Sequence, residues 1–170
     1  MYFNYFPKTM YDPAGDGSAK LCTDIMSRVR VRANMKKEIV MLDPYNVKEN
    51  ETPEIVADKH HGSPYYHWVV MLLNDISDIN HDWVKSTRQM QKYLLNKYTE
   101  TQLTETHHYE ISQTSGDTTT MIEVENTTYP SATAVTNYEY EVALNEEKRS
   151  IDLLRNEYLA FFVDEFKSSI

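Results

Sequence analysis

The stretch Glu51-Thr52-Pro53-Glu54-Ile55-Val56-Ala57-Asp58-Lys59-His60-His61-Gly62-Ser63-Pro64-Tyr65-Tyr66-His67-Trp68-Val69-Val70-Met71-Leu72-Leu73-Asn74 decides the fold. Thr52 is a good N-cap, Pro53 suits the first helical position because its missing N–H is not needed there, and Glu54 suits the positive end of a helix dipole. Gly62 is a natural terminator. Ser63-Pro64 then repeats the same starting grammar and launches a second helix through Leu73. Two short helices therefore meet at a Gly-Ser-Pro corner, and the second is apolar nearly all round, which predicts burial on more than one side.

Outward from this pair, Ile39 to Leu42 and Tyr45 to Lys48 read as short extended segments divided by Asp43-Pro44, because the residue before proline is biased away from helix. Ser86-Thr87-Arg88-Gln89 is a capping box, and Met90, Tyr93, Leu94 and Tyr98 recur at helical spacing, so a third helix of about three turns is expected. From about residue 100 the chain becomes threonine-rich. Tyr109 to Ile111 and Met121 to Val124 read as strands of a hairpin around Ser115-Gly116-Asp117. Asn137 to Val142 alternates like a further strand, and Glu146 to Phe166 reads as helix with a break near Asn156.

The N-terminus crowds Tyr2, Phe3, Tyr5, Phe6 and Tyr11 between Pro7 and Pro13 before the turn-rich Pro13-Ala14-Gly15-Asp16-Gly17-Ser18, which argues against a long regular element. Such an arm either packs back on its own fold or inserts into a neighbour. Arg28, Arg30 and Arg32 alternate with Val29 and Val31, as in a strand with one charged face. The fold class is α+β, a small central β-α-α-β domain with an extended aromatic N-terminal arm and a C-terminal β-hairpin plus helix. The boundaries are residues 1–44 for the arm and edge strands, 45–98 for the central domain with its following helix, 99–142 for the hairpin extension, and 143–170 for a helical tail.

Composition narrows the function. A net charge of -9 argues against nucleic acid, whose binding is driven by clustered Lys and Arg. Tyrosine, at 13 of 170 residues, leans toward a protein-binding surface. The single cysteine, Cys22, excludes an internal disulfide and reads as a small buried residue. No run approaches a membrane span and the N-terminus lacks a signal-peptide pattern, so a soluble chain made in the cytoplasm is expected.

Three clusters of side chains come closest to chemistry. His60, His61 and His67 come closest to metal-ligand spacing, with His107-His108 as a second pair, but neither has the carboxylates or cysteines of a usual zinc site. His60 and His61 are read instead as partly charged rings at a helix C-terminus. Asp75, Asp78 and Asp82 crowd one loop without a spacing that defines acid–base catalysis. There is no glycine-rich phosphate loop and no nucleophile triad, so no enzyme activity, cofactor or metal is expected.

Tyr45-Asn46-Val47-Lys48, Thr52, Ile55-Val56-Ala57, Gly62, Trp68 to Ile76 and Asn74 within it resemble a LysM module, with Asn50-Glu51 in place of the usual Gly-Asp before the threonine. The wider chain resembles the baseplate wedge protein 53 family of T4-like contractile phages, through Phe3-Asn4-Tyr5-Phe6-Pro7-Lys8, Gly62-Ser63-Pro64, Trp68-Val69-Val70, Asn74-Asp75-Ile76, Asn137-Tyr138-Glu139-Tyr140-Glu141 and Asn145-Glu146-Glu147-Lys148-Arg149. That resemblance implies a structural virion protein of the tail baseplate, in multiple copies of a sixfold assembly, whose LysM-like domain ties neighbouring wedges together around the hub. Its partners would be other wedge subunits and the sheath-initiating protein, with no nucleic acid and no membrane. The alternative is a LysM-type module that binds peptidoglycan or N-acetylglucosamine polymers. Candidate interface residues are Phe3, Tyr5, Phe6, Tyr65, Tyr66, Tyr138, Tyr140, Phe161, Phe162 and Phe166. Of these, Phe161 and Phe162 together are expected to dock on a partner without supporting the central fold.

Overall fold

The computed structural model describes residues 2–26 and 39–170. The chain divides into two compact units, Met1–Trp83 with Ser150–Ile170, and Val84–Arg149. It opens with a 3-10 turn, Tyr2–Tyr5, and an antiparallel hairpin of β1 (Lys8–Tyr11) and β2 (Lys20–Thr23). A 3-10 turn at Ile39–Met41 leads into β3 (Leu42–Asn46), α1 (Pro53–His61), a further turn at Pro64–Tyr66, α2 (His67–Leu73) and α3 (Ile79–Asp82). The second unit runs α4 (Thr87–Lys97), α5 (Glu100–Leu103), β4 (Thr106–Ser115), β5 (Thr118–Val124), β6 (Thr133–Thr136) and α6 (Asn137–Glu147). β7 (Ser150–Leu154) and α7 (Asn156–Ser168) belong to the first unit again. Helices and strands of both units make the chain α+β.

The local signals around α1 act as their chemistry requires. Thr52 is extended, Pro53 opens the helix, and Gly62 closes it at φ +72 with its N–H donating to the Asp58 carbonyl at 2.9 Å. Thr52 makes no side-chain cap bond, so its contribution is backbone shape alone. The Ser63 hydroxyl accepts from the Tyr65 N–H, and α2 buries Trp68, Val69, Val70 and Leu73.

β3 pairs antiparallel with β7 from Leu42↔Leu154 to Asn46↔Ser150. The pairing is extended by the Arg155 N–H to the Met41 carbonyl and by an Arg155–Asp43 ion pair at 2.9 Å, between residues 112 positions apart. Asn74, just after α2, fastens β7 from the other side. Its amide donates to the Val70 and Asp152 carbonyls, both at 2.8 Å, while its carbonyl accepts from the Asp152 N–H at 2.9 Å. Leu154 enters the core beside Leu42, and Ile151 and Leu153 are buried as well. The same core cluster holds the aromatic rings of Phe6, Trp68, Phe162 and Phe166 beside Val69, Leu73 and Val163, with Tyr2 against Phe6, Trp68 and Phe166 at ring separations of 4.9, 5.6 and 5.5 Å.

In the second unit β4 is the central strand of a three-stranded antiparallel sheet ordered β5-β4-β6. Ser115 pairs with Thr118, leaving Gly116-Asp117 as a two-residue turn, and Gly116 has the positive φ that a type II′ turn needs at its first position. The Ser86–Gln89 capping box forms as predicted. Asn145 grips Lys85 through both backbone groups, at 2.8 and 3.0 Å.

Several sequence expectations give way. Asn137 to Val142 is helix: Thr136-Asn137-Tyr138-Glu139 is a reciprocal capping box, and that local signal outweighs the alternation. The predicted helix from Glu146 to Phe166 is interrupted by β7, whose Ile151 and Leu153 alternate toward the core in a run too short to stand out beside longer helical patterns. Residues 39–41 form a 3-10 turn, and one strand passes through Pro44, which a two-stranded sheet tolerates because each strand has an open edge. Cys22 is exposed on β2. The N-terminal segment contains a hairpin, organised by the Asp12 carboxylate accepting from the N–H groups of Ala14, Gly15 and Gly17. The alternating Arg28 to Arg32 segment lies outside the described residues.

Asn74→Ala leaves both backbone groups of Asp152 without this partner. It should cost about 2–3 kcal/mol, read as a lower urea midpoint and faster amide exchange at Asp152.

Candidate partner interface

The ten aromatic candidates fall into three groups. Phe6, Phe162 and Phe166 are core residues, at 6%, 4% and 3% exposure. Their burial follows from helical geometry, because Phe162, Val163 and Phe166 share the inward stripe of α7. Tyr5, Tyr66 and Tyr140 are half-buried. Tyr5 lies against Trp68 and carries the Lys167 ammonium over its ring, while Tyr140 stacks on His107 at 3.8 Å with an 11° tilt. Only Phe3, Tyr65, Tyr138 and Phe161, between 50% and 63% exposed, present most of their rings outward. The neighbours Phe161 and Phe162 thus point to opposite environments. Replacing both would remove a core ring together with a surface ring.

The N-terminal aromatic segment packs back on its own fold through Tyr2 and Phe6, and Phe3 rests against both while staying mostly exposed. Tyr138 lines a groove of about 440 Å³ in the second unit, with Met90, Leu94, Leu95, Leu103 and Val142.

The histidines and acids singled out in the sequence are engaged in folding. His60 donates from Nε2 to the Leu154 carbonyl at 2.9 Å, and His67 bonds the Pro64 carbonyl through Nδ1 at 2.9 Å. His61 Nδ1 lies 2.9 Å from the Asn156 side-chain oxygen, and burial holds this imidazole's pKa below its ordinary value, so His61 contributes less positive charge at the α1 terminus than expected. Asp78 caps α3 and binds His81, while Asp82 accepts from the backbone of Ser77 and Asp78. Among the described residues no three His, Cys, Asp or Glu side chains are disposed to hold a metal ion.

Sequence reasoning missed two buried carboxylates. Glu51 accepts from the Tyr45 hydroxyl and the Lys48 N–H, both at 2.8 Å, and pairs with Lys59; the Trp83 indole donates to its carbonyl at 2.8 Å. Glu141 pairs with Lys97 and accepts from the Tyr98 hydroxyl at 3.0 Å. Burial works against ionisation at both, yet the lysine and hydroxyl partners hold each carboxyl below the usual range, and burial beside Glu51 pushes Tyr45 up to about 12. Charge alone could not mark these two acids among 26.

The polar clusters described above cap, clamp and pair the chain's own elements, and its largest rings are shared between core and surface. A family model described as base plate wedge protein 53 matches residues 1–131, and the chain belongs to that family. It is a baseplate protein of the phage tail, and baseplate membership implies association with other baseplate proteins. The match ends before α6, so the resemblance at Asn137 to Arg149 lies beyond it. No curated protein matches the chain. No helix of the described residues is long and apolar enough to cross a membrane.

Two outcomes follow. Phe162→Ala should destabilise by about 3–5 kcal/mol, whereas Phe161→Ala should stay within about 0.5 kcal/mol of the parent, both measured by urea unfolding. The lowered carboxyl pKa values of Glu51 and Glu141 stabilise the fold above the unfolded Glu pKa, about 4.3, and that stability is lost as pH falls through their folded values. The unfolding midpoint should therefore drop in acid, and Glu51→Gln with Glu141→Gln should flatten that acid slope while lowering stability at pH 7.

Proposed function

We propose that this chain bridges neighbouring wedges around the tail hub by protein–protein contacts, in a sixfold arrangement that also reaches the sheath-initiating protein. In this reading β3, α1, α2 and β7 form a LysM-like body, with Val84–Arg149 inserted between its second helix and its last strand. The observation that carries the proposal is the division of aromatic residues in a member of this family. Phe6, Trp68, Phe162 and Phe166 lie in the core, whereas Tyr65 and Phe161, and Phe3 which rests edge-on against Tyr2 and tilted against Phe6, turn most of their rings outward. Exposed aromatic anchors of this kind dominate binding energy where they enter partner pockets.

The same β-α-α-β order also suits a module that holds N-acetylglucosamine polymers. The polar groups at the start of α1 favour protein contact instead, because Glu51 is occupied by Tyr45, Lys48 and Lys59.

The test is peptide mass spectrometry of purified virions, quantified against a hub protein of known copy number. The bridging reading predicts a ratio consistent with a sixfold ring. In phage carrying Phe3→Ala, Tyr65→Ala and Phe161→Ala together, incorporation should fall at least tenfold while the isolated variant unfolds within a few degrees of the parent. Absence of the chain from particles, or retention of the isolated chain on insoluble peptidoglycan, would turn the assignment toward the glycan-binding alternative.

A further inference from the structure

β5 is an edge strand with little of the usual protection. It pairs with β4 along one side in unbroken register from Tyr109↔Val124 to Ser115↔Thr118, and no described strand lies along its other side. Its seven residues, Thr118-Thr119-Thr120-Met121-Ile122-Glu123-Val124, are exposed up to a half-buried Val124. Protein edges are ordinarily blunted by charged side chains, lysine above all, or by proline, a bulge or short length. β5 has one charge, Glu123, and no lysine, proline or bulge, and its β-branched residues favour extended pairing. The opposite edge, β6, has four residues and adjoins an irregular register at Thr106 to His108. Outward-facing backbone groups along β5 are thus a template for one more strand.

Charge selects what that strand carries. The chain has no Lys or Arg between Lys97 and Lys148, so the whole sheet lacks a cationic side chain of these types. Glu110 and Glu123 stand directly opposite each other on β4 and β5, with Asp117 in the turn; Glu110 also meets His108 Nε2 at 2.8 Å, which leaves Glu123 as the acid at the open edge. Like charges in that relation destabilise a sheet, and a cation beside them reverses the sign of the interaction. Pairing of β5 with β5 of a second copy would add further carboxylates to those present.

We propose that β5 accepts an extended, Lys- or Arg-bearing segment of another baseplate protein as a fourth strand, bound by main-chain hydrogen bonds and held in register by Glu123. This mode of recognition takes affinity from the backbone and selectivity from alternate side chains. It rests on the reading of the chain as a baseplate subunit.

Amide hydrogen exchange of residues 118–124, in the isolated full chain and in purified baseplates, tests it together with the charge reversal Glu123→Lys. The expected result is exchange at least tenfold slower in baseplates, and at least tenfold fewer copies of the Glu123→Lys chain per baseplate, with unchanged unfolding of the isolated variant. A chain present in baseplates whose β5 amides exchange as fast as in isolation overturns this inference and leaves the subunit reading standing, as does normal incorporation of Glu123→Lys. Protection already present in the isolated chain and growing with its concentration assigns the edge to a second copy and also overturns it. Absence of the chain from baseplates contradicts the subunit reading itself, and this inference with it.

Discussion

The pairing of β3 with β7 is the constraint on which the first unit depends. It joins segments more than a hundred residues apart, so a large loop-closure entropy must be overcome before any of its hydrogen bonds contribute. Five paired positions on a two-stranded sheet would be marginal in water by themselves. They are held because Asn74 fastens Asp152 from the end of α2, Arg155 continues the ladder to Met41 and Asp43, Leu154 buries against the aromatic core, and Ile151 and Leu153 are buried as well. With the ends of the central module fixed in this way, the intervening Val84–Arg149 forms a separate compact unit.

Asparagine recurs at these junctions because a carboxamide presents a donor and an acceptor side by side, matching the paired N–H and C=O of one backbone residue. Asn74 uses it on Asp152 and Asn145 on Lys85. Asn156 uses it differently, donating to the His60 carbonyl and meeting the His61 ring. An aspartate at any of these sites would lose its donor and bring a charge, so the amide is a specific requirement and not general polarity. The chain's two ends meet the same core by another means: Tyr2 and Phe6 from the N-terminal segment and Phe162 and Phe166 from α7 surround Trp68, and each favourable ring pair adds about 0.5–1.5 kcal/mol beyond burial.

Legibility in the sequence followed the range of the interaction. The start of α1, the Gly62 corner, the Ser86–Gln89 box and the hairpin turn at Gly116 were readable because each is decided within four or five residues. The helix at Asn137 was also decided locally, by Thr136 and Glu139, but the tyrosine alternation beside it suggested a strand. β7 was hidden for the opposite reason: only its pairing with β3 and its clamp to Asn74 make Ser150–Leu154 extended. The interface candidates failed to separate at the same level, since aromatic residue type carries no information on which way a ring points. Phe161 and Phe162 are adjacent in sequence and differ from 60% to 4% in exposure. Glu51 and Glu141 went unnoticed because their partners lie 8 and 44 positions away.

Family membership makes this a baseplate protein, and the contacts proposed for its outer rings require a first unit rigid enough to present them. The central claim is that β3–β7 closure, fastened by Asn74, makes this unit self-sufficient. The most direct measurement replaces Val84–Arg149 with a short Gly-Ser linker and follows amide exchange at Asp152 along with urea unfolding. The account predicts one cooperative transition and a strongly protected Asp152 amide, as in the full chain. Rapid exchange at Asp152 in a chain without a cooperative transition would contradict it.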